Sequence, residues 1–222
     1  MGVERFAELM AAGPDAFPLD EACLLIAAEA NPSLDVEEGL RRLDEIAHAC
    51  AAPLLETLLE HLYVDLGFAG NLTDYYDPRN SLLDHVLDRR LGIPITLAVI
   101  ALETGRRIGV PMSGIGMPGH FLLRDKVDPD VFVDPFSGRL LGKIDCLRLH
   151  QRLTGGTPWT DDFLLPVPKQ IIVVRVLSNL KEVAKRTSDL RMLQWVMRLR
   201  ATIPGVGEAE RAEFASMMSP LN

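Results

Sequence analysis

The stretch "LDRRLGIPITLAVI", residues 87–100, decides how the chain folds. A charged run, Asp88-Arg89-Arg90, passes through Leu91-Gly92 into Pro94, and from Ile95 to Leu102 nearly every residue is apolar. Proline suits the first turn of a helix, where its missing N–H leaves no bond unmade and its fixed φ is already helical. A helix apolar on every face must be packed from several sides. The stretch therefore predicts a central core helix from Pro94 to Ile108, stopped by Gly109-Val110-Pro111.

Upstream of that helix the pattern is helical. "LDEACLLIAAEA" has Asp20 as an N-cap and stops at Pro32. Asp35 opens "DVEEGLRRLDEIAHACA" with Glu38 in capping-box position, and "PLLETLLEHLYVDLG" ends at Gly67. "GNLTDYYDPRN" is a connecting loop, after which Asn80 or Ser81 caps "SLLDHVLDRR". Downstream the grammar changes: "MSGIGM", "GHFLLR" and "VFVDPF" are short, rich in strand formers, and parted by turn residues such as "DKVDPD". Helices return in "DCLRLHQRL", "KQIIVVRVLSNLKEVAKRT", "DLRMLQWVMRLRATIP" and "GEAERAEFASMM". The class is α+β, with a helical region over 1–66, a core over 67–142 and C-terminal helices over 143–222.

The composition sets outer limits. A chain of 222 residues, 48% hydrophobic, can bury a sizeable core. A net charge of −8 repels nucleic acid and anionic membrane surfaces. No apolar run approaches the ~18 residues of a membrane span, and the start of the chain lacks the charged-then-apolar order of a signal peptide. Cys23, Cys50 and Cys146 are odd in number and lie in helical apolar patterns, which reads as reduced thiols in a cytoplasmic protein.

The chemistry lies in the two strands. With a hairpin turn centred on Val127, His120 stands opposite Asp134 on one face. His120, Leu122, Phe132 and Asp134 share that face, and Phe121, Leu123, Val131 and Val133 share the other. The carboxylate would accept the imidazole Nδ1–H and leave Nε2 as a base. His120 then either locks two strands together or also touches a ligand, and Asp134 either ends its strand in a turn or orients the imidazole. An acid–base pair needs a nucleophile, which a helix N-terminus commonly supplies because its positive end stabilises a thiolate.

The ordered set "RLGIPITLA", "GHF" and "VDPF" resembles the helix start, histidine strand and aspartate strand of the transglutaminase-like superfamily, which implies a transglutaminase/papain-like core. The resemblance lays the family's cysteine on Pro94, which has no nucleophilic atom. The longer string "YYDPRNSLLDHVLDRRLGIPITLAVIALETGRRIGVPMSGIGMPGHFLLR" with "FVDPFSGRLL" resembles the SirB-type branch of that superfamily over about residues 20 to 200. In that branch the helix usually starts Gly-Ile-Pro, as it does here. The branch implies a helical N-terminal region and a tetratricopeptide-like helical tail.

Substitutes for the thiol are Thr96, Ser113, Ser137 and Cys50, with Thr96 lacking the free amine that threonine nucleophiles use. Further binding candidates are Tyr76, Arg90 and Thr96. Tyr75 and Tyr76 cover the sheet or form a recognition surface. Arg89 and Arg90 pair with Asp84 or Asp88, or hold an anion. His48, His61, His85 and His150 are scattered, mostly on helix surfaces, so no metal is expected. Gly114, Gly116 and Gly119 spell a dinucleotide motif without its helix, so no cofactor is expected. The expectation is a catalytically silent protein that binds a protein or peptide partner over His120, Asp134 and Pro94. The alternative is an amide hydrolase in which His120 and Asp134 activate water. A third reading is a scaffold whose helical parts do the binding.

Overall fold

The fold is built around the helix that the opening stretch predicts. The computed structural model describes residues 2–206. Helices α1 (Gly2–Ala11), α2 (Leu19–Ala30), α3 (Val36–His48) and α4 (Leu55–Leu59) come first, the last continuing as a π-helical stretch over Glu60–Asp65. A two-residue strand β1 (Ala69–Gly70), a 3-10 turn (Pro78–Ser81), α5 (Leu83–Arg89) and β2 (Leu91–Gly92) lead into α6 (Pro94–Ile108). Strands β3 (Met112–Ile115), β4 (Leu122–Asp125), β5 (Phe132–Asp134) and β6 (Arg139–Leu141) form one antiparallel sheet in chain order. Helices α7 (Lys143–Thr154), α8 (Lys169–Thr187) and α9 (Leu190–Thr202) follow, α8 and α9 packing as a hairpin. This is the α+β class that the sequence predicts. The predicted helix "GEAERAEFASMM" lies outside the described residues.

Helix α6 buries Pro94 through Ala101 and touches α2, α3, α4, α5, α8 and the sheet. Each fully buried aliphatic side chain there stabilises the fold by about 1.5–3 kcal/mol over an exposed one. Leu97 and Ile100 share one continuous core with Phe6 of α1, Leu24 of α2, Leu177 of α8 and Leu199 of α9. The N-terminal helices therefore hide their apolar stripes against α6 and the C-terminal hairpin. The loop between α1 and α2 meets the start of α8, whose first N–H groups donate to Asp15 Oδ1 and to the Pro14 carbonyl, both at 2.9 Å.

The sheet is covered on both faces, as the alternation predicts. Phe121, Leu123 and Val133 join the main core, while Leu122 and Phe132 join a second cluster with Cys146 of α7 and Leu164. The register is a correction. Leu123 pairs with Val133 and Arg124 with Phe132, so the ladder centres on Asp128, one residue beyond the expected Val127. Pairing slips by two residues, which leaves every side chain on its expected face. Asp125 sets this turn by accepting the N–H groups of Val127 and Asp128 on its side chain.

Two caps also differ from expectation. Pro18 precedes α2, and Asp20 lies within its first turn, buried and paired at 2.6 Å with Arg107 of α6. Asn80 and Ser81 sit in the 3-10 turn, and α5 starts after Leu82 with no side-chain cap. Asp35 does cap α3, accepting the Glu38 N–H at 3.3 Å.

Candidate functional site

Three elements of the structure meet at one place. The first is the helix start. Ile93 is extended, and Pro94 takes the first helical position of α6, buried. The Ile93 N–H donates to Thr96 Oγ1 at 3.2 Å, and the Thr96 hydroxyl donates to the Asn80 carbonyl at 2.6 Å. Thr96 is 1% exposed, so this binding candidate spends its hydroxyl on the helix start and is not brought to the surface.

The second is the loop beneath that start. Asn80 is fully buried; its amide donates to the carbonyls of Asp74 and Tyr75, and its Oδ1 accepts from Asn71 and Arg89. Asp77 closes the loop, pairing with Arg79 at 2.7 Å and Arg89 at 3.2 Å. Burial opposes ionisation of Asp77, but these guanidinium groups and the Arg79 N–H outweigh it and hold the carboxyl below its usual range. Arg89 thus pairs with Asp77, not Asp84 or Asp88, and Asp88 pairs with Arg42. The network holds up Tyr75 and Tyr76, which are 44% and 46% exposed.

The third is the acid–base pair. His120 precedes β4, Asp134 ends β5, and the imidazole donates from Nε2 to Asp134 Oδ1 at 2.7 Å. With the slipped register His120 lies diagonally across from Asp134, and a long side chain bridges that distance. The bonded nitrogen is Nε2, where the sequence reading expected Nδ1. Nδ1 has no hydrogen-bond partner among the described residues and is not sealed from solvent. Asp134 also accepts the Phe136 N–H at 3.0 Å and the Ser137 hydroxyl at 2.7 Å. Burial opposes its ionisation, yet His120, Ser137 and the Phe136 N–H together hold its carboxyl below the usual value. Asp134 both ends a strand and orients the imidazole.

A residue that the sequence reading passed over joins the three. Phe136 follows Asp134 by two positions; its carbonyl accepts the Gly70 N–H at 3.0 Å, and its ring lies where a Cβ on Gly70 would stand. Gly70 pairs with Gly92, two residues before Pro94. Phe136 also meets His120 and Tyr75, each with ring centroids 6.3 Å apart. The helix start and the acid–base pair are thus held together through the β1–β2 ribbon and one aromatic ring. The aromatic directly after "DP" was the signal in the sequence.

Thiols do not fill the gap at Pro94. Cys146 is fully buried, and burial with nearby Asp145 and Asp134 pushes its pKa up to about 12. Burial raises Cys23 as well, and Cys50 donates to the Ala52 carbonyl in its own turn. The Ser137 hydroxyl donates to the carboxylate, not to the imidazole. Tyr63 is also close: its ring packs on Gly138, its buried hydroxyl lacks a partner among the described residues, and burial and then Asp134 raise its pKa.

Other candidates lie elsewhere. Arg90 takes a left-handed conformation (φ 60°) at the end of α5 and stacks on Phe68 at 4.8 Å, with Nη1 buried and unpartnered. His61 and His150, expected on helix surfaces, are buried and bond to the carbonyls of Ile46 and Thr157. Among the described residues no cluster of three or more His, Cys, Asp or Glu could hold a metal ion, and no helix is long and apolar enough to cross a membrane. A cavity of about 830 Å³ opens between the end of α6, β3 and Pro166–Lys169; of the candidate residues Ser113 lines it, and His120, Asp134 and Pro94 do not.

A helix start tied to an imidazole–carboxylate pair on a small sheet is the layout of a thiol-enzyme-like fold, here with proline at the helix start. The chain belongs to the Transglutaminase-like superfamily, which it matches over residues 25–178. It is 38% identical over 215 residues to a UPF0162 protein of Xylella fastidiosa, covering 89% of this chain and 76% of that one. A UPF0162 protein of Pseudomonas aeruginosa is 38% identical over 146 residues, 62% of this chain and 53% of its own. F-box only protein 21 of Homo sapiens is 42% identical over 71 residues, 32% of this chain and 11% of its own. No solved structure matches the chain.

Proposed function

We propose that the protein is a non-catalytic transglutaminase-like protein of the SirB type that binds a protein or peptide segment on the surface beside His120. The observation that carries this reading is Pro94 at the first position of α6, with the His120–Asp134 pair kept intact. Proline offers neither a nucleophile nor an N–H at the helix end where an attacking thiolate would be stabilised. The exposed rings of Tyr75 and Tyr76 beside the pair support a binding role, since tyrosine gives large contact area at low entropic cost.

The test uses the full chain with imidazole proton and carbon signals assigned by His120→Ala. A mixture of random-sequence pentapeptides is expected to move the His120 signals, and a fluorogenic peptide-amide panel is expected to give no turnover above that of His120→Ala. Turnover that His120→Ala abolishes would overturn the reading. It would support the alternative, in which the unbonded Nδ1 of His120 activates water for amide hydrolysis.

A further inference from the structure

Beside the acid–base pair stands a cation with no carboxylate partner among the described residues. Arg175 lies on α8, half-buried, with its guanidinium 5.3 Å from the centre of the Phe121 ring. One of its N–H groups donates to the His120 carbonyl at 3.0 Å. Neither Nε nor Nη1 has a hydrogen-bond partner among the described residues, no carboxylate pairs with it, and neither nitrogen is sealed from solvent. A partly desolvated guanidinium without a counter-charge is costly unless something supplies one. Burial holds its pKa below the usual range, and only nearby Tyr75 works the other way.

The backbone makes room for this side chain. A Cβ on Gly116 would stand 3.1 Å from Arg175 Nη1, and one on Gly114 would stand 2.7 Å from the Phe121 ring on which Arg175 rests. Two of the three glycines that spelled a nucleotide motif therefore act as clearance for an arginine on an aromatic ring.

The setting is elongated. Arg186 follows Arg175 by eleven residues on the same helix, which is about three turns, so the two share a face about 16 Å apart. Arg186 lies over the Tyr76 ring at 4.0 Å and pairs with Glu182, so its charge is already met. Between the two arginines stand Tyr75 and Tyr76, edge to face at 5.4 Å, and Tyr75 leads through Phe136 to His120. A strip of that length matches about five residues of extended chain at roughly 3.3 Å each. A lone terminal carboxylate would use only one end of it.

We infer that Arg175 is the anion-binding anchor of this strip, taking an acidic side chain of an extended peptide whose neighbouring residues lie over Tyr75 and Tyr76. The inference rests on the proposed peptide-binding reading and narrows it to acidic segments. A planar guanidinium that keeps free N–H donors after meeting the His120 carbonyl suits a carboxylate side chain.

The test reads the Arg175 Nε–Hε signal of isotope-labelled full-length protein during titration with N-acetylated, C-amidated pentapeptides that carry Glu, Gln or Lys at the centre. A fourth peptide has Gln at the centre and a free C-terminal carboxylate. The Glu peptide is expected to move the Arg175 and His120 signals and to bind about tenfold tighter than the Gln peptide, the scale of one charge-assisted pair. Arg175→Gln should remove that preference, Arg175→Lys should keep part of it, and Arg186→Gln should change it less than Arg175→Gln does. Equal movement of the His120 signals by Glu and Gln peptides would overturn the anion anchor and leave the peptide-binding reading standing. A preference for the free C-terminal carboxylate over the central Glu would overturn the internal-segment assignment. No movement of the Arg175 signal by any peptide up to about 5 mM, weaker than any specific segment binding, would overturn the inference outright. Should Arg175→Gln fail to fold, the Glu-against-Gln comparison on the unaltered protein still decides.

Discussion

Asp134→Ala strips the acceptor from three donors at once. Asp134 is 9% exposed, and its carboxylate receives His120 Nε2 at 2.7 Å, the Phe136 N–H at 3.0 Å and the Ser137 hydroxyl at 2.7 Å. A buried donor left unmatched costs about 1–3 kcal/mol. The Ser137 hydroxyl can rotate to water, so the two orphans set an expected loss of about 2–6 kcal/mol. For a chain of this size that is roughly 4–24 °C in Tm. Asp134→Asn keeps an oxygen for His120 and Phe136, and its amide can donate to Ser137, so its loss should be about 0.5–1.5 kcal/mol. The sign of the pH dependence is fixed by the lowered carboxyl pKa. The stabilisation from ionised Asp134 is fully present above the unfolded value of about 3.9 and is lost as pH falls through the lower folded value. Urea unfolding of both variants and the parent at neutral pH and near pH 3 measures all of this. Equal losses for Ala and Asn at neutral pH, or a gap to the parent that widens in acid, would refute the reasoning.

Other positions give independent checks. Asn80→Ala leaves the Asn71 amide and two loop carbonyls unmet; a loss of about 2–4 kcal/mol is expected, with faster proteolysis at residues 72–77 under native conditions. Gly70→Ala puts a methyl 2.3 Å from the Phe136 ring and should cost about 1–3 kcal/mol by thermal melting while shifting the His120 ring signals that Phe136 shields. Thr96→Val, nearly the same shape, removes both hydroxyl bonds at the helix start and should cost about 1–3 kcal/mol in urea unfolding, with Thr96→Ser costing less.

The register of β4 and β5 shows where local reading stops. Alternation in "GHFLLR" and "VFVDPF" assigns faces correctly because side-chain direction has a period of two, and a two-residue slip leaves that assignment intact. The slip itself came from Asp125, whose side chain draws in the N–H groups of Val127 and Asp128. Asp20 and Asn80 misled for a related reason. Both are good capping types, but Arg107, distant in sequence, claimed the one, and the buried contacts of a loop claimed the other.

The sequence by itself determined the buried α6 helix, the strand faces, the proline at the helix start and the presence of a histidine ahead of one strand and an aspartate on its neighbour. These follow from periodicity and from the fixed geometry of proline, which act over a few residues. Only the tertiary structure decided that Nε2 rather than Nδ1 meets Asp134, that Phe136 joins the pair to the helix start through Gly70, and that Arg175 arrives from α8 with no carboxylate partner among the described residues. Those facts depend on which surfaces three distant segments bring together, and burial of apolar area, which is non-directional, leaves no local pattern that would announce them.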